Sequence, residues 1–398
     1  MLKKKILALI LAGGQGGRLG FLTENRAKPV IPFAGFYRLI DFALSNCAHS
    51  GISDVWVVEQ YELHSLNEHL SNGRPWDLDR TYGGLQILPP FENREDSGEK
   101  SEKSGFAEGN ADALFRQIDL IKKHAPDILI VLSSDHIYKI DFRDVVETHL
   151  KKQAAVTMVT TKVPKGESAS RFSVVKVNKD GRVTDFEYKP ENPQSDVITT
   201  EIFVYDAKVL IETLEQLKKD NKKLKDYGDE LLPYLVKNET AVEHRHDGYW
   251  RDVGTIESFW QANMDLLDEK QKLAIDDANW AILTHAAPRV PALIYDSANI
   301  TESLIAHGAK IHGTVKNCVL SAGVIVEKGA EIEECVVFAD AVIKRGVKLK
   351  RAIVDAETVV TAKKIEAAAK NQKKEILVVG NKTVKTSDEI KLDAEKKK

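Results

Sequence analysis

Residues 6–20 read I-L-A-L-I-L-A-G-G-Q-G-G-R-L-G, an apolar run that empties into glycines and one arginine. Two interpretations compete. With Lys3 to Lys5 ahead of it, the run Ile6 to Ala12 fits the basic and apolar regions of a secretory leader. It also fits the first strand of an α/β domain ending in a phosphate-binding loop, where backbone N–H groups converge on an anion. The run is short for a leader, and glycines follow where a small-x-small cleavage site belongs. The strand-and-loop interpretation is the stronger, and the rest of the chain bears on it.

The chain has 398 residues, enough for two or three domains and a sizeable core. Hydrophobic residues make up 43% and charged ones 29%, so most of it should fold. A net charge of -3 and a pI near 6.4 give no general attraction toward nucleic acid or an acidic membrane surface, so neither is an expected partner. Any anion must be bound locally. Nowhere do about 18 apolar residues run together, so no membrane span is expected. Cys47, Cys318 and Cys335 are odd in number and lack CxxC spacing, which suits a reducing cytoplasm.

From Ile6 to about Leu267, strand-like runs alternate with helical stretches. The runs are Ile6 to Leu11, Asp54 to Val58, Ile128 to Leu132, Val156 to Thr161, Phe172 to Val177 and Ile202 to Tyr205. Such alternation argues for a largely parallel sheet covered by helices. The charged, Ser/Gly-rich stretch Pro90 to Gly105 reads as a mobile surface loop.

Beyond about Ile300 the texture changes to six-residue units: V-E-K-G-A-E, I-E-E-C-V-V, F-A-D-A-V-I and, after one five-residue step, I-K-R-G-V-K and L-K-R-A-I-V. Apolar residues recur at Val326, Ile332, Phe338, Ile343 and Leu349, the signature of a β-helix with three short strands per coil. An antiparallel sheet should instead show period two and hairpin turns. Cys318 and Cys335 are about one coil apart and read as stacked core residues. After Lys363 the chain is lysine-rich, and residues 388–398, D-E-I-K-L-D-A-E-K-K-K, are expected to be disordered.

The opening loop matches neither familiar glycine fingerprint: G-x-x-x-x-G-K-[ST] is absent, and after Gly14 and Gly16 the third glycine of G-x-G-x-x-G is replaced by Leu19. Its glycines still let backbone N–H groups approach an anion, and Arg18 adds a forked, permanently charged donor. Lys28, before a proline in A-K-P-V-I-P, supplies a second cation. In V-L-S-S-D-H-I-Y-K a buried strand ends near Asp135, at the edge where α/β sheets bind ligands. In G-Y-W-R-D-V-G-T, Asp252 sits on a short turn. Two acids from distant places could hold Mg²⁺ on a triphosphate. Each alone could equally be a surface acid or a helix cap, and the loop a bare turn between strand and helix.

Together these pieces resemble the sugar nucleotidyltransferases, and more closely the ADP-glucose pyrophosphorylases, over Ile6 to about Asp355. The motifs carrying the resemblance are A-G-G-Q-G-G-R-L, R-A-K-P-V-I-P-F, Y-R-L-I-D-F-A-L-S-N-C-A-H-S-G-I, Q-Y-E-L-H-S-L, W-D-L-D-R, G-N-A-D-A, S-D-H-I-Y-K, Y-K-P, D-Y-G-D-E-L-L-P and Y-W-R-D-V-G-T, then the hexads. The resemblance implies a Rossmann-like α/β nucleotidyltransferase domain with a mostly parallel sheet (1–267), a linker (268–299), a left-handed parallel β-helix (300–362) and a charged tail (363–398). It implies a cytoplasmic, Mg²⁺-dependent enzyme making ADP-glucose and pyrophosphate from ATP and glucose 1-phosphate for glycogen synthesis, assembled as a homotetramer.

The resemblance also implies residue roles. Arg18, Lys28 and Asp135 would be catalytic, and Asp135 and Asp252 would hold the metal. Leu11, Ala12, Gly13, Gly14, Gly16, Arg18 and Lys28, with Gly109, Asn110, Ala111 and Asp112, would bind the nucleotide. Tyr188, Lys189, Thr199, Asp226 and Trp250 would bind the sugar phosphate. Several positions depart from the family pattern. Ser134 stands where Gly is common, Asn110 where Thr is, Phe106 and Ala107 replace Trp-Tyr, Tyr188 replaces Glu, and Thr199, Thr200 and Glu201 replace S-M-G. The changes at Tyr188 and Glu201 leave a different sugar phosphate or nucleotide open, and a non-catalytic regulatory subunit is a further alternative. Lys344, Arg345, Lys348, Lys350 and Arg351 form either a site for an anionic sugar-phosphate or phosphate effector or a solvated basic face.

Overall fold

The computed structural model describes residues 4–14, 16–90, 107–164, 166–220, 224–268, 273–371 and 375–396. Of the expected loop from Pro90 to Gly105, all but Pro90 lies outside them. The chain divides into two compact units. One comprises Met1–Gly14, Ala43–Ser134 and Tyr138–Trp250, the other Gln15–Phe42, Asp135–Ile137 and Arg251–Lys398. The glycine loop thus leaves the first unit after Gly14.

The first unit is built on a nine-stranded sheet. Its strands are β1 (Ile6–Ala12), β2 (Asp54–Glu59), β3 (Gly84–Leu88), β4 (Ile128–Ser133), β5 (Val156–Lys162), β6 (Ser173–Val177), β7 (Val183–Tyr188), β8 (Val197–Asp206) and β9 (Ala241–Arg245). The order is β7-β6-β8-β4-β1-β2-β3, with β5 also pairing β8 and β9 pairing β5. Each of the six strand-like runs is a strand. The sheet is mixed: β4, β1, β2 and β3 are mutually parallel, as are β9 and β5, while β8 runs antiparallel to β4, β5 and β6. In the parallel part Ile6 lies beside Ile128 and Ala12 beside Glu59, so the carboxyl ends of β1, β2 and β4 share one edge. β1 reads as a continuous apolar run because both faces are covered, and Leu7 through Ile10 are fully buried.

In the second unit, parallel strands stack coil on coil, as in a left-handed hexapeptide β-helix. Leu293–Ile294, Lys310–Ile311, Ile325–Val326, Val342–Ile343 and Val359–Val360 form one face. Glu331 sits beside Lys348 and Val336 beside Ile353 on the other two. The hexad residues Val326, Ile332, Phe338, Ile343 and Leu349 are all buried. Cys318 and Cys335 are fully buried and stacked as expected, the Cys335 N–H donating to Cys318 Sγ at 3.4 Å. Corners recur in left-handed conformation at Asn317, Glu334 and Arg351, where each coil must turn.

Two expectations need correction. Coil strands begin at Leu293, inside the stretch expected to be linker, because Leu293 and Ile294 already pair with the next coil. The end of the chain is folded as far as it is described. Leu377–Val379 pairs in parallel with Lys348–Val354 and antiparallel with Val384–Thr386, and a helix follows over Ser387–Lys396. Leu377, Val378, Val379 and Ile390 are buried, which stabilises a segment whose charge alone suggested disorder. The same unit also takes in residues 15–42. Arg26 pairs with Asp355 at 2.8 Å, and Gly35 lies so close to the Leu320 carbonyl that a Cβ there would sit 3.0 Å from its oxygen.

Candidate active site

The second unit contains the cationic and carboxylate set. Gly16 is left-handed (φ 68°), and residues Gly17–Thr23 then form a short 3₁₀ segment. Leu19 N–H donates to the Gly16 carbonyl at 2.8 Å, and the Thr23 hydroxyl donates to the carbonyls of Gly16 and Gly20. Leu19 and Leu22 are fully buried while Arg18 is exposed, so the segment presents its guanidinium outward from an apolar footing. Lys28 is only 8% exposed, and its ammonium donates to Asp135 Oδ2.

Asp135, His136 and Asp252 converge. One donor atom from each lies within 4.8 Å of the others, and His136 Nε2 sits 3.7 Å from Asp135 Oδ1 and 3.8 Å from Asp252 Oδ1. The elements explain this. A bend at Ser134–Asp135 separates β4 from the short strand His136–Tyr138, which pairs with the strand Trp250–Asp252. Gly254 follows, with Arg18 Nη2 and both Asp252 oxygens crowding its α-carbon, and a Cβ there would meet all three at 2.9 to 3.1 Å. Thr255 then caps the helix Ile256–Asp265 through a capping box with Ser258.

His136 was not among the expected site residues. Adjacent residues on a regular extended strand face opposite ways. The bend at Asp135 breaks that alternation. The one available signal was a histidine next to a candidate ligand acid.

The first unit contains a second set. Gly13 follows β1 and packs on Gln60, where a Cβ would lie 2.9 Å from the amide carbon. Gly109 lies against the Lys225–Asp226 backbone so closely that a Cβ would sit 2.5 Å from the Lys225 carbonyl. That carbonyl accepts from the N–H groups of Ala111 and Asp112, and Asn110 N–H reaches Asp226 Oδ1 at 3.3 Å. Asp112 accepts from Glu108 N–H and Arg116 Nε, which makes it a structural acid of this turn.

Asp226 Oδ2 accepts from the Tyr188 hydroxyl at 2.9 Å, and Lys189 Nζ donates to that hydroxyl at 2.7 Å while lying over the ring. Burial, then the Asp226 charge, pushes the Tyr188 phenol well above its usual range, so it is a neutral donor. Lys189 is itself left-handed (φ 46°). Thr199 is 1% exposed, and its hydroxyl has no partner among the described residues. Trp250 is buried, edge-on to Phe172. The structure therefore gathers Tyr188, Lys189, Asp226 and Asn110 into one network.

The basic residues of the β-helix form a ladder. Lys344 pairs with Glu327 at 2.7 Å, Lys348 with Glu331 and Lys350 with Glu333, each at 3.1 Å. Arg351 lies over the Trp260 ring at 4.1 Å. Among the described residues no helix is long and apolar enough to cross a membrane.

The first unit thus ends β1 in glycines at the carboxyl edge of its parallel strands, and the second unit holds two cations and two carboxylates. Residues 7–269 match the nucleotidyl transferase family, and residues 292–384 match the GlmU-like C-terminal hexapeptide family, which ends before the C-terminal helix. The chain is 43% identical over 335 residues to a glucose-1-phosphate adenylyltransferase of Clostridium perfringens, covering 84% of each protein. It is 41% identical over 331 residues to the enzyme of that name from Thermosipho africanus, covering 83% of this chain and 78% of the relative. The chain thus belongs to the nucleotidyl transferase family, within the group of glucose-1-phosphate adenylyltransferases.

Proposed function

We propose that the protein joins ATP and glucose 1-phosphate to form ADP-glucose and pyrophosphate, in the cytoplasm and as a supply of glucosyl donor for glycogen-type α-glucan synthesis. The observation that carries this is the convergence of Lys28, Asp135, His136 and Asp252 in the unit that also presents Arg18. A sugar-phosphate oxygen attacks the α-phosphorus, a new P–O bond forms, and the bond to the β-phosphate breaks as pyrophosphate leaves. No proton need move and no enzyme nucleophile is needed.

Arg18 and Lys28 offset triphosphate charge, with Leu11 to Gly14 and Gly16 as the glycine loop beside the nucleotide and Gly109 to Asp112 as the wall against its base. The two carboxylates are hard oxygen donors and fit Mg²⁺, whereas an imidazole nitrogen suits it poorly. Asp135 and Asp252 are accordingly the proposed ligands, with His136 between them as a spacer. Bound Mg²⁺ would offset charge on the α-phosphate and on the attacking oxygen. Tyr188, Lys189 and Asp226 orient the sugar phosphate, with Thr199 beside the sugar. Assembly as a homotetramer through the β-helix completes the proposal.

One observation favours a second reading. Lys189 is engaged by the Tyr188 hydroxyl, which alters the hydrogen bonds open to a sugar, so another sugar 1-phosphate or nucleotide is the alternative. The test is a pyrophosphate-release assay over a panel of nucleoside triphosphates and sugar 1-phosphates with Mg²⁺. ATP with glucose 1-phosphate should give the highest kcat/KM, and a higher value for another pair would establish the alternative. Absence of turnover with every pair would refute both, and stimulation of a separate catalytic subunit would identify a regulatory one.

A further inference from the structure

The C-terminal helix Ser387–Lys396 packs against the 3₁₀ segment Gly17–Thr23 that carries Arg18. Two contacts define the junction. Ile390, 2% exposed, lies on the α-carbon of Gly20, where a Cβ would sit 3.0 Å from Ile390 Cγ2. The Phe21 ring lies on Gly380, where a Cβ would be 2.7 Å from Phe21 Cε2.

Gly20 interrupts the 3₁₀ segment with φ 58° and ψ -137°, a backbone state essentially reserved for glycine. No side chain at position 20 could anchor the turn from within. Ile390 supplies the missing apolar bulk from outside. The segment also has no side-chain cap at its start, and a glycine-rich stretch loses about 1–2 kcal/mol of backbone entropy per residue when ordered. Contacts from elsewhere must offset that cost.

The anchor is firmly built at its other end. Ser387 N–H donates to the Ile376 carbonyl at 2.8 Å, Thr386 N–H donates to Glu389 Oε2 at 2.8 Å, and Glu389 N–H donates to the Thr386 hydroxyl at 3.3 Å. Leu377–Val379, just before, is a strand of the last β-helix layer. A continuous run of packed and hydrogen-bonded residues therefore leads from the β-helix through Ile390 to Arg18.

We propose that Ile390 is a positioning residue: the C-terminal helix clamps the 17–23 segment and so aims the Arg18 guanidinium at the nucleotide's phosphates. This rests on Arg18 binding those phosphates. Misplacement of a charged group by about 1 Å can cost up to ~10²-fold in rate or binding. Because Arg18 remains present and only its footing loosens, the loss in Ile390→Ala is smaller. Its apparent KM for ATP rises roughly threefold to tenfold, with kcat and the sugar-phosphate KM within about twofold of wild type.

The full-length protein tests this through steady-state kinetics, calorimetric ATP binding, melting temperature, and hydrogen exchange at the amides of residues 17–23. Ile390→Ala should raise the ATP KM and speed exchange in that segment, and Ile390→Val should recover most of both. Unchanged ATP binding and exchange in Ile390→Ala would overturn the clamp. So would a fall in melting temperature with a lowered kcat and both KM values unchanged, which is the pattern of a smaller folded fraction. Arg18→Gln separates the two ideas. If it leaves ATP binding intact, the phosphate-binding reading fails and the clamp with it; if it weakens ATP binding while Ile390→Ala does not, only the clamp fails.

Discussion

The Lys28 ammonium donates to the Asp135 carboxylate across 107 residues of sequence, and the two side chains are 8% and 17% exposed. A largely buried ion pair of this kind is costly to break on one side. Asp135→Asn should lower kcat by about 10²-fold, the scale of losing one key electrostatic group. It should also require more Mg²⁺ for half-maximal turnover and melt earlier, because Lys28 loses its counter-charge. The double variant Lys28→Met/Asp135→Asn should regain melting temperature without regaining activity. Near-normal turnover of Asp135→Asn at saturating Mg²⁺ would remove Asp135 from the metal site.

The Tyr188 network makes a prediction about sugar-phosphate affinity. Tyr188→Phe deletes the hydroxyl between Lys189 and Asp226 and should raise KM for glucose 1-phosphate by roughly tenfold, the worth of a hydrogen bond to a charged group. Lys189→Ala should do at least as much while leaving the ATP KM nearly unchanged. Gly228→Ala offers an independent route, since its Cβ would lie 2.1 Å from the Tyr188 ring and must displace it. In a Tyr188→Ala background the same substitution should be harmless. An unaltered sugar-phosphate KM in Gly228→Ala would separate the ring from the substrate.

Stability should depend on pH through two buried groups with opposite signs. Glu59, 1% exposed, accepts from Asn67 Nδ2 at 3.0 Å, and burial raises its pKa from 4.5 to about 7. The folded state then holds the proton longer than the unfolded chain, so Glu59 erodes stability as pH rises from 4.5 to about 7. Burial lowers His149, whose Nδ1 lies 3.0 Å from the Thr157 hydroxyl, from 6.5 to about 4. That histidine erodes stability as pH falls from 6.5 to about 4. Between 4.5 and 6.5 the two slopes oppose each other. Urea midpoints across this range should show Glu59→Gln gaining roughly 1–3 kcal/mol relative to wild type on going from pH 5 to pH 8. A parallel pair of profiles would mean that Glu59 ionises normally.

The β-helix ladder predicts little energy per rung. Lys348→Ala and Lys350→Ala should each cost under about 1 kcal/mol, and less in high salt, because these pairs are exposed. Ile332→Ala, in the stacked core, should cost about 2–5 kcal/mol. Chemical denaturation at low and high salt distinguishes the two kinds of contact. Arg345→Ala and Arg351→Ala should leave activity unchanged over a panel of added sugar phosphates and phosphate, and a difference from wild type in that panel would assign the effector site to this face.

What could be read along the chain was whatever depends on near neighbours. The apolar run from Ile6 followed by glycines, the six strand runs and the hexads at Val326, Ile332 and Phe338 are local patterns. Strand period and coil period are set by backbone geometry, so they survive in one dimension. The two acids were visible for the same reason, Asp135 lying just beyond an apolar strand and Asp252 lying beside glycines, although Asp252, expected on a turn, ends the short strand Trp250–Asp252.

Only the tertiary structure decided which groups meet. The approach of His136 to Asp252, the bond from the Tyr188 hydroxyl to Asp226, and the pairing of Lys344, Lys348 and Lys350 each with a glutamate one coil earlier all depend on residues that are not neighbours in sequence. The C-terminal helix shows the principle most plainly. Its composition argues for disorder, yet a single isoleucine finds the bare α-carbon of Gly20, and apolar burial there depends on a surface that exists only after the rest of the unit has folded.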